Sequence, residues 1–368
     1  MPGVWAVCWS SSAEWTIRTS LISGDCFAPY RRNDSTLRAV VFRQRVDCVE
    51  RAQLTSGVRP QWAPRAVIIE GVAMKLGFNV PNLGPAASPE NVIKIAQKAE
   101  ELGYDSIWTT ERLLVPVNPK AGYGGMAGVP IPEQYKVQLD PLDTLSLVGA
   151  VTKRARLGTS VLDLPFYNAA LLARRLTTID VFTGGRLTIG FGVGWCPEEF
   201  DAVGVSIHQR GKRADEALDM FKASIWKIPP SYMQPKPVQK PHPPILMAAF
   251  APAAMKRIAT KADGWLPVGL PVPAMKQMWE GIKGMAKEAG RDTSKLQLIV
   301  RANFSISPEP GPEGRFIFTG SEDQIKQDIA DVREMGADEV HFDPTTGAQG
   351  GSAQSWLESI ERIRELAG

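Results

Sequence analysis

The sequence predicts a single (β/α)8 barrel (TIM barrel) over residues 74–368, preceded by an extension over residues 1–73. Strand and helix signals alternate eight times after Met74, which is the pattern of a parallel α/β protein. A barrel of this kind needs about 250 residues, so the segment is long enough for one. The competing open doubly wound sheet lacks its dinucleotide fingerprint, because Trp195 stands where the third glycine of G-x-G-x-x-G would follow Gly190 and Gly192.

The predicted helices begin and end at residues typical of helix boundaries. Ser88 followed by Pro89 is an N-cap with proline in the first turn, and Gly103 ends that helix. Ser321 caps a later helix. Helices are predicted at 89–102, 141–151, 168–181, 214–226, 251–260, 274–289, 322–334 and 354–366. Strands are predicted at 75–80, 105–109, 155–162, 186–193, 244–248, 264–268, 296–306 and 339–343.

Composition and charge exclude several classes of protein. The chain is 44% hydrophobic and 22% charged, as in an ordinary globular protein. Residues 1–73 hold nine Arg, no Lys and six acids, so the entire net charge of +3 lies in that extension. The remaining residues have a net charge of zero, which predicts neither a nucleic-acid partner nor a membrane partner. We expect the extension to be poorly structured or to lie upstream of a native start at Met74.

The cysteines and histidines predict the compartment and the absence of a metal centre. Four cysteines in 368 residues form no disulfide framework and no metal-ligand pairing, which favours a reducing, cytoplasmic location. Three histidines are too few for a histidine-rich metal site. We therefore expect no metal.

Three glycines in the fourth predicted strand are its most informative feature. If strand alternation holds, Gly190, Gly192 and Gly194 point to one face. Glycine weakens a strand, so three on one face indicate a close approach to the backbone. A planar cofactor ring at the barrel mouth explains the pattern, and so does tight packing of the barrel interior.

Several segments, in order, carry a resemblance to a known family. They include the strand 75–78, the Arg156–Val161 run and the glycine segment 183–199. The others are 99–108, 235–244 and 262–265. On these segments residues 74–368 resemble the luciferase-like monooxygenase family, and within it the oxidoreductases that use the deazaflavin coenzyme F420. The resemblance implies a redox enzyme with F420, or alternatively FMN, bound at the mouth of the barrel.

The resemblance also implies where the cofactor lies. It places a non-proline cis peptide under the ring at Ser160–Val161. Gly192, Gly194 and Trp195 would contact the ring or the substrate. The cofactor phosphate would meet backbone N–H groups at the loop and helix start after the fifth strand, since a helix N-terminus favours an anion. That segment contains Ala248, Ala249 and Phe250.

Two segments supply candidate catalytic residues. Relatives often have an Asp-His pair after the second strand, whereas this chain has Glu111 and Arg112. Arginine stays protonated at neutral pH, so Arg112 would neutralise an anionic ring or substrate while Glu111 orients it. Glu198 would be a general acid or hydrogen-bond partner, although it and Glu199 also suit the first turn of a helix.

Three further residues are candidate substrate contacts. The loop 118–138 is longer than ordinary connections and is a candidate lid, from which Tyr135 would reach the substrate. His341 and Asp343 lie on one face of the eighth strand by alternation, opposite Phe342. A pocket role is the hypothesis for that pair.

These observations together predict a hydride-transferring enzyme that uses F420 and a small organic substrate. A reduced-FMN-dependent monooxygenase on the same fold is the nearest alternative. A non-catalytic flavin- or deazaflavin-binding protein is the alternative from another class, favoured by the missing histidine after the second strand. The resemblance further implies a homodimer.

Overall fold

The structure is a computed structural model that describes residues 74–222 and 232–368. Within 1–73 it describes only two short strands, Trp15–Thr16 and Pro29–Tyr30, which pair antiparallel. The expectation about the N-terminal extension otherwise falls outside the described residues.

Eight parallel strands of the described ranges close into one barrel, which confirms the predicted fold class. Neighbouring strands are paired in the order β3-β2-β1-β8-β7-β6-β5-β4, and β3 also pairs with β4 to complete the cylinder. The strands are β1 Lys75–Asn79, β2 Ser106–Thr109, β3 Arg156–Thr159, β4 Leu187–Gly192, β5 Ile245–Met247, β6 Gly264–Trp265, β7 Gln297–Asn303 and β8 Glu339–Asp343.

Nine α-helices of the described ranges surround the barrel. They are α1 Pro89–Glu101, α2 Pro141–Val151, α3 Ala169–Phe182, α4 Pro197–Ala202, α5 Arg210–Phe221, α6 Pro252–Lys261, α7 Val272–Glu288, α8 Glu322–Glu334 and α9 Ala353–Ala367. None of these helices is both long enough and apolar enough to cross a bilayer. The Ser88 cap is present, and Ser321 forms a capping box with Gln324.

Two helix predictions differ from the structure. The predicted helix 214–226 begins earlier, at Arg210, because a 3-10 turn over Ile207–Gln209 leads directly into it. It ends at Phe221, and residues 223–231 are not described. The short α4 was not predicted, because six residues are too few to show a helical apolar period.

The barrel interior is closed by large side chains. Trp108, Leu246, Leu266 and Ile299 form an apolar cluster inside the cylinder, with Val161 against it. The Trp108 indole N–H donates to two groups, Ser106 Oγ at 2.7 Å and Glu339 Oε1 at 3.1 Å. The interior is therefore a packed core, and any ligand must bind above it, where the strands end.

Candidate active site

The Ser160–Val161 peptide bond, directly after β3, is cis, as the resemblance implies. The Ser160 carbonyl oxygen accepts a hydrogen bond from Arg301 Nη1. Ser160 Oγ is buried and has no hydrogen-bond partner within the described residues, while Val161 keeps partial exposure. Ser160 and Val161 form a bulge, because Gly158 pairs with Thr188 whereas Leu162 pairs with Phe191. This bulge presents the apolar side chain of Val161, with the unsatisfied Ser160 hydroxyl beside it.

The glycines of β4 are explained by packing of protein atoms. A Cβ at Gly190 would collide with the Thr159 carbonyl, and one at Gly192 would lie 2.6 Å from Asp163 Oδ1. The expected common face does not include Gly194, because β4 ends at Gly192 and Gly194 has a φ of +72°. Of the two explanations left open by the sequence, tight packing accounts for Gly190 and Gly192.

Arg112 lies at the centre of a buried ionic cluster that joins β2 to α4. Its guanidinium makes two contacts with Glu199, one of them an Nε–Oε1 hydrogen bond of 2.7 Å. Glu199 Oε1 also accepts the N–H of Leu113 at 2.8 Å. The guanidinium stacks on Trp195, 4.7 Å from the ring centre, and lies 3.8 Å from an Asp163 oxygen. Arg112 therefore holds Trp195 in place at the mouth.

Glu111 lies beside Asp163. Arg112 forms an ion pair with Asp163, whereas Glu111 forms none with any basic side chain in the described ranges. The Glu111 carboxylate accepts hydrogen bonds from the Asp163 backbone N–H and from the Tyr167 hydroxyl. Burial, together with the negative charge of Asp163, raises the pKa of Glu111 to about 8. Burial also raises the pKa of Asp163, against the opposing effect of Arg112. The pKa of each of these two carboxyl groups therefore lies above its ordinary value.

A second polar cluster forms at the ends of β1, β7 and β8. Arg301 Nη2 donates to Asp343 Oδ2 at 2.5 Å, and Asn79 Nδ2 donates to the same oxygen at 3.0 Å. His341 Nδ1 lies 2.9 Å from Asn79 Oδ1. The alternation that placed His341 and Asp343 on one face is confirmed, since Phe342 packs outward against Phe304 and Phe318.

His341 is fully buried and uncharged. Its ring stacks on Trp108 with 4.4 Å between ring centres, and Asn79 fixes one ring nitrogen. Burial, and then the charge of Arg301, lower the pKa of His341 well below its ordinary value. Its Nε2 atom has no partner among the side chains that the structure describes. His341 therefore supports the floor of the site, beneath Asp343 and Arg301.

The long loop between β2 and α2 carries aromatic side chains to the mouth. Tyr135 is 4% exposed, and its hydroxyl lies 2.9 Å from that of Tyr123. The Tyr123 ring packs edge-on against Trp195 at 5.9 Å. Tyr135 is close enough to Arg301 and Asp343 for their charges to affect its pKa, which burial raises well above the ordinary value. The loop thus covers both polar clusters with neutral phenols.

Glu198 fastens this loop to α4. Its Oε1 accepts the Lys120 N–H at 2.7 Å, while the Lys120 ammonium pairs with Asp201 at 2.9 Å. Desolvation raises the pKa of Glu198, but the Lys120 N–H and further hydrogen bonds outweigh it, so the net pKa lies below its ordinary value. Glu198 is therefore ionised at neutral pH, and its role as a general acid stays a prediction.

Two variants of Glu198 distinguish a role in fastening the loop from a role in transferring protons. Glu198→Gln keeps an oxygen for the Lys120 N–H, whereas Glu198→Ala removes it. We expect Glu198→Ala to speed trypsin cleavage after Lys120 several-fold and Glu198→Gln to leave the cleavage rate unchanged. Limited proteolysis followed by mass spectrometry measures both rates. Equal rates in the two variants would contradict the fastening role.

The loop after β5 leads into the N-terminus of a helix, where the phosphate contact is predicted. Helix α6 starts at Pro252, and its N-cap Ala251 offers no side-chain acceptor to the first N–H groups. Ala249 is buried, and its carbonyl accepts the Trp265 indole N–H at 3.0 Å. Phe250 is 46% exposed. The Ala248 N–H donates to the Phe191 carbonyl at 2.9 Å, so the N–H groups that follow it, up to the start of α6, stay the predicted phosphate contacts.

Three residues of the site were not predicted from the sequence. Asp163 contacts Arg112 and Gly192, and Asn79 and Arg301 form the second cluster. A charged residue inside the apolar strand β7 was a detectable signal for Arg301, since charge is rarely buried without a partner. Asp163 gave no comparable signal. The described residues contain no group of side chains that would hold a metal ion.

A closed parallel barrel with polar groups gathered at the carboxyl ends of its strands defines a TIM barrel whose candidate site lies at that end. Residues 72–311 match the family model for luciferase-like monooxygenases, and the chain belongs to that family.

Three similar proteins illustrate the range of this family and fold. An uncharacterized protein of Mycobacterium tuberculosis is 31% identical over 245 residues, which are 61% of this chain and 82% of that protein. The FMNH2-dependent dimethylsulfone monooxygenase of Pseudomonas putida is 27% identical over 239 residues, 61% of this chain and 60% of that enzyme. An F420-dependent secondary alcohol dehydrogenase, solved with an F420–acetone adduct, superposes with a TM-score of 0.62 at 14% identity, covering 80% of this chain and 99% of that one.

Proposed function

We propose that this protein is an oxidoreductase that binds coenzyme F420 at the carboxyl ends of the strands and exchanges hydride with a small organic substrate. The observation that carries the proposal is the segment after β3, where Arg301 holds the Ser160 carbonyl and Arg112 lies 3.8 Å from an Asp163 oxygen. The buried, unsatisfied Ser160 hydroxyl and the partly exposed Val161 fit a flat group lying against the bulge. When bound, the cofactor would supply the hydride chemistry.

Different residues around the bulge would bind different parts of the cofactor. Val161, Gly192, Gly194 and Trp195 would line the ring, with Arg112 fixing the indole of Trp195. The Ser160 carbonyl is held by Arg301. The N–H groups after Ala248, Ala249 and Phe250 would receive the phosphate. These assignments put one end of the cofactor over β3 and β4 and the other at α6.

The charges at the mouth favour an uncharged substrate. Arg112 is paired with Glu199, and Arg301 is paired with Asp343. Neither guanidinium is free to bind a substrate carboxylate or phosphate without breaking its ion pair. Tyr135 would contact a neutral carbonyl or alkene through its phenol and would exclude water. Asp343 and His341 would lie on the other side of this phenol, toward the barrel interior.

Two other functions remain candidates. Similarity to an FMNH2-dependent monooxygenase favours reduced FMN as the cofactor, with oxygen as the second substrate. Glu111 and Arg112, in place of the expected Asp-His pair, favour a protein that binds the cofactor without turnover. Both alternatives use the same cleft, so cofactor binding and turnover must be measured separately.

Titration of the full chain with oxidised F420 and with FMN tests the proposal. We expect F420 to quench or shift the fluorescence with a dissociation constant in the micromolar range, and FMN to bind at least tenfold more weakly. The reduced cofactor is then mixed with a panel of ketones, aldehydes and enones in a single-turnover experiment. Micromolar affinity for FMN alone would overturn the choice of cofactor. Tight F420 binding without oxidation by any substrate would favour the non-catalytic binder.

We also propose that the protein is a cytoplasmic homodimer. Helix α3 supports a second copy as partner, since it leaves Leu171 and Phe182 66% and 75% exposed on the same side of the helix, about three turns apart. Sedimentation of wild type against Phe182→Glu tests the dimer, and an unchanged mass in the variant would contradict this face.

A further inference from the structure

Two acidic residues that the proposed function leaves without a joint role are hydrogen-bonded to each other at the mouth, through the backbone N–H of one and the carboxylate of the other. Glu111 follows β2, and Asp163 follows the cis peptide after β3. The Asp163 N–H donates to the Glu111 carboxylate, which ties the two residues together. The Asp163 side chain also lies next to Gly192, since a Cβ there would be 2.6 Å from its Oδ1 and 2.7 Å from Val161 Cγ2. Asp163 therefore borders the surface on which the ring would lie.

The charges around this pair do not balance if both carboxyl groups are ionised. Arg112 is the cation that faces Asp163, at 3.8 Å, and its closer partner is Glu199. Asp140 adds negative charge near Glu111, and Tyr167 donates its hydroxyl to it. Arg175, near Asp140 and Tyr167, is the further cation on this side, and it forms ion pairs with Asp140 and Asp143. Two carboxylates in so little water, with one guanidinium already engaged, favour retention of a proton.

We propose that Glu111 and Asp163 share one proton at neutral pH and that Asp163 delivers it to the molecule bound over Val161 and Gly192. The identity of that molecule rests on the proposed function, whereas the shared proton does not. Asp163 would thus be a catalytic residue, and Glu111 a positioning residue that supplies the proton through it.

The transfer is a simple exchange of one proton. An O–H bond of the pair breaks, and the proton forms a bond with a basic atom of the bound molecule without any change in electron count. The pair is left with two carboxylates and one additional negative charge, which Arg112 faces. Glu111 is partly exposed, so water at the mouth returns the proton for the next cycle.

The shared proton is tested without any cofactor. The folded pair keeps a proton that the unfolded chain loses above the ordinary pKa of 4.5, so stability falls as pH rises from about 4.5 to about 8. One such proton changes the unfolding equilibrium constant by at most about tenfold per pH unit. Urea unfolding of wild type, Glu111→Gln and Asp163→Asn is compared across this range.

We expect both amide variants to lose most of this pH dependence. Glu361→Gln, at an exposed carboxylate of α9 paired with Lys98, is the matched control and should keep it. Glu111→Gln keeps an amide oxygen that can accept the Asp163 N–H, and its amide N–H group can donate to the Tyr167 hydroxyl, so this variant should fold even if Asp163→Asn does not. A pH dependence equal to that of wild type in a folded amide variant would overturn the shared proton.

Delivery to the bound molecule is tested by calorimetric titration with F420 and FMN as probes, in two buffers that differ in ionisation enthalpy. If Asp163 delivers its proton to a basic atom of the bound probe, the pair regains a proton from the solvent, and binding is accompanied by net proton uptake. Wild type and Glu361→Gln should therefore take up a proton on binding near pH 8, and Asp163→Asn should take up markedly less. Equal uptake in all three would overturn delivery by Asp163. Failure of both probes to bind would overturn the proposed function and the delivery step, while the urea data still decide the shared proton.

Discussion

Replacing Arg112 with leucine is expected to lower the free energy of unfolding by about 3–5 kcal/mol, as for other buried ion pairs that lose one partner. The Arg112 and Glu199 side chains are 5% and 0% exposed. Without the guanidinium, Glu199 keeps only the N–H groups of Leu113 and Leu114 as donors inside the protein. Trp195 also loses the cation that stacks on it. Urea denaturation followed by circular dichroism measures the loss.

Arg362→Leu is the matched control for this prediction. Arg362 pairs with Glu322, but the two side chains are 43% and 39% exposed, so water replaces the lost partner. We expect a much smaller loss of stability than at Arg112. Arg112→Lys should fall between them, because an ammonium keeps the charge but cannot reproduce the two-contact geometry. Equal losses for the two leucine variants would show that the Arg112–Glu199 pair is not effectively buried.

Adding one methyl group at Gly158 is expected to cost about 1–3 kcal/mol of stability, as other overpacked cores do. The Cβ would lie 2.6 Å from Trp108 Cδ2 and nearer still to two other ring atoms. Trp108 cannot retreat, since His341 stacks on its ring and Ser106 and Glu339 accept its N–H. Urea denaturation of Gly158→Ala measures the loss.

Gly284→Ala is the control with the opposite sign. Gly284 lies in α7, and a Cβ there would meet no atom within 4 Å. Alanine is favoured over glycine within a helix by about 0.5–1 kcal/mol, so this variant should gain stability. If Gly158→Ala were as stable as wild type, the indole of Trp108 would not occupy the position that the barrel assigns to it.

The strands and most helices were predictable because their signals are local. Ser88 with Pro89 and Ser321 with Gln324 mark helix starts within four residues of chain, and the structure has both caps. The common face of His341 and Asp343 followed from strand alternation alone. The helix over Pro197–Ala202 was missed because so short a segment has no apolar period to detect.

The partners of the site residues were not predictable in the same way. Arg112 and Glu199 are 87 residues apart in sequence, and Arg301 lies 141 residues from the carbonyl it binds at Ser160. The glycines of β4 showed a close approach but not what approaches, and the structure identifies Thr159 beside Gly190 and Asp163 beside Gly192.

The sequence by itself determined the eight-strand barrel, the position of the cis peptide by resemblance, and the faces that side chains share. Only the tertiary structure decided that Arg112 is paired with Glu199 and that Glu111 lies beside Asp163. The spacing of residues along one strand determines to which face of that strand each side chain points. The closure of β3 against β4, and the return of the long loop over the mouth, determine which charges meet and how much water remains between them.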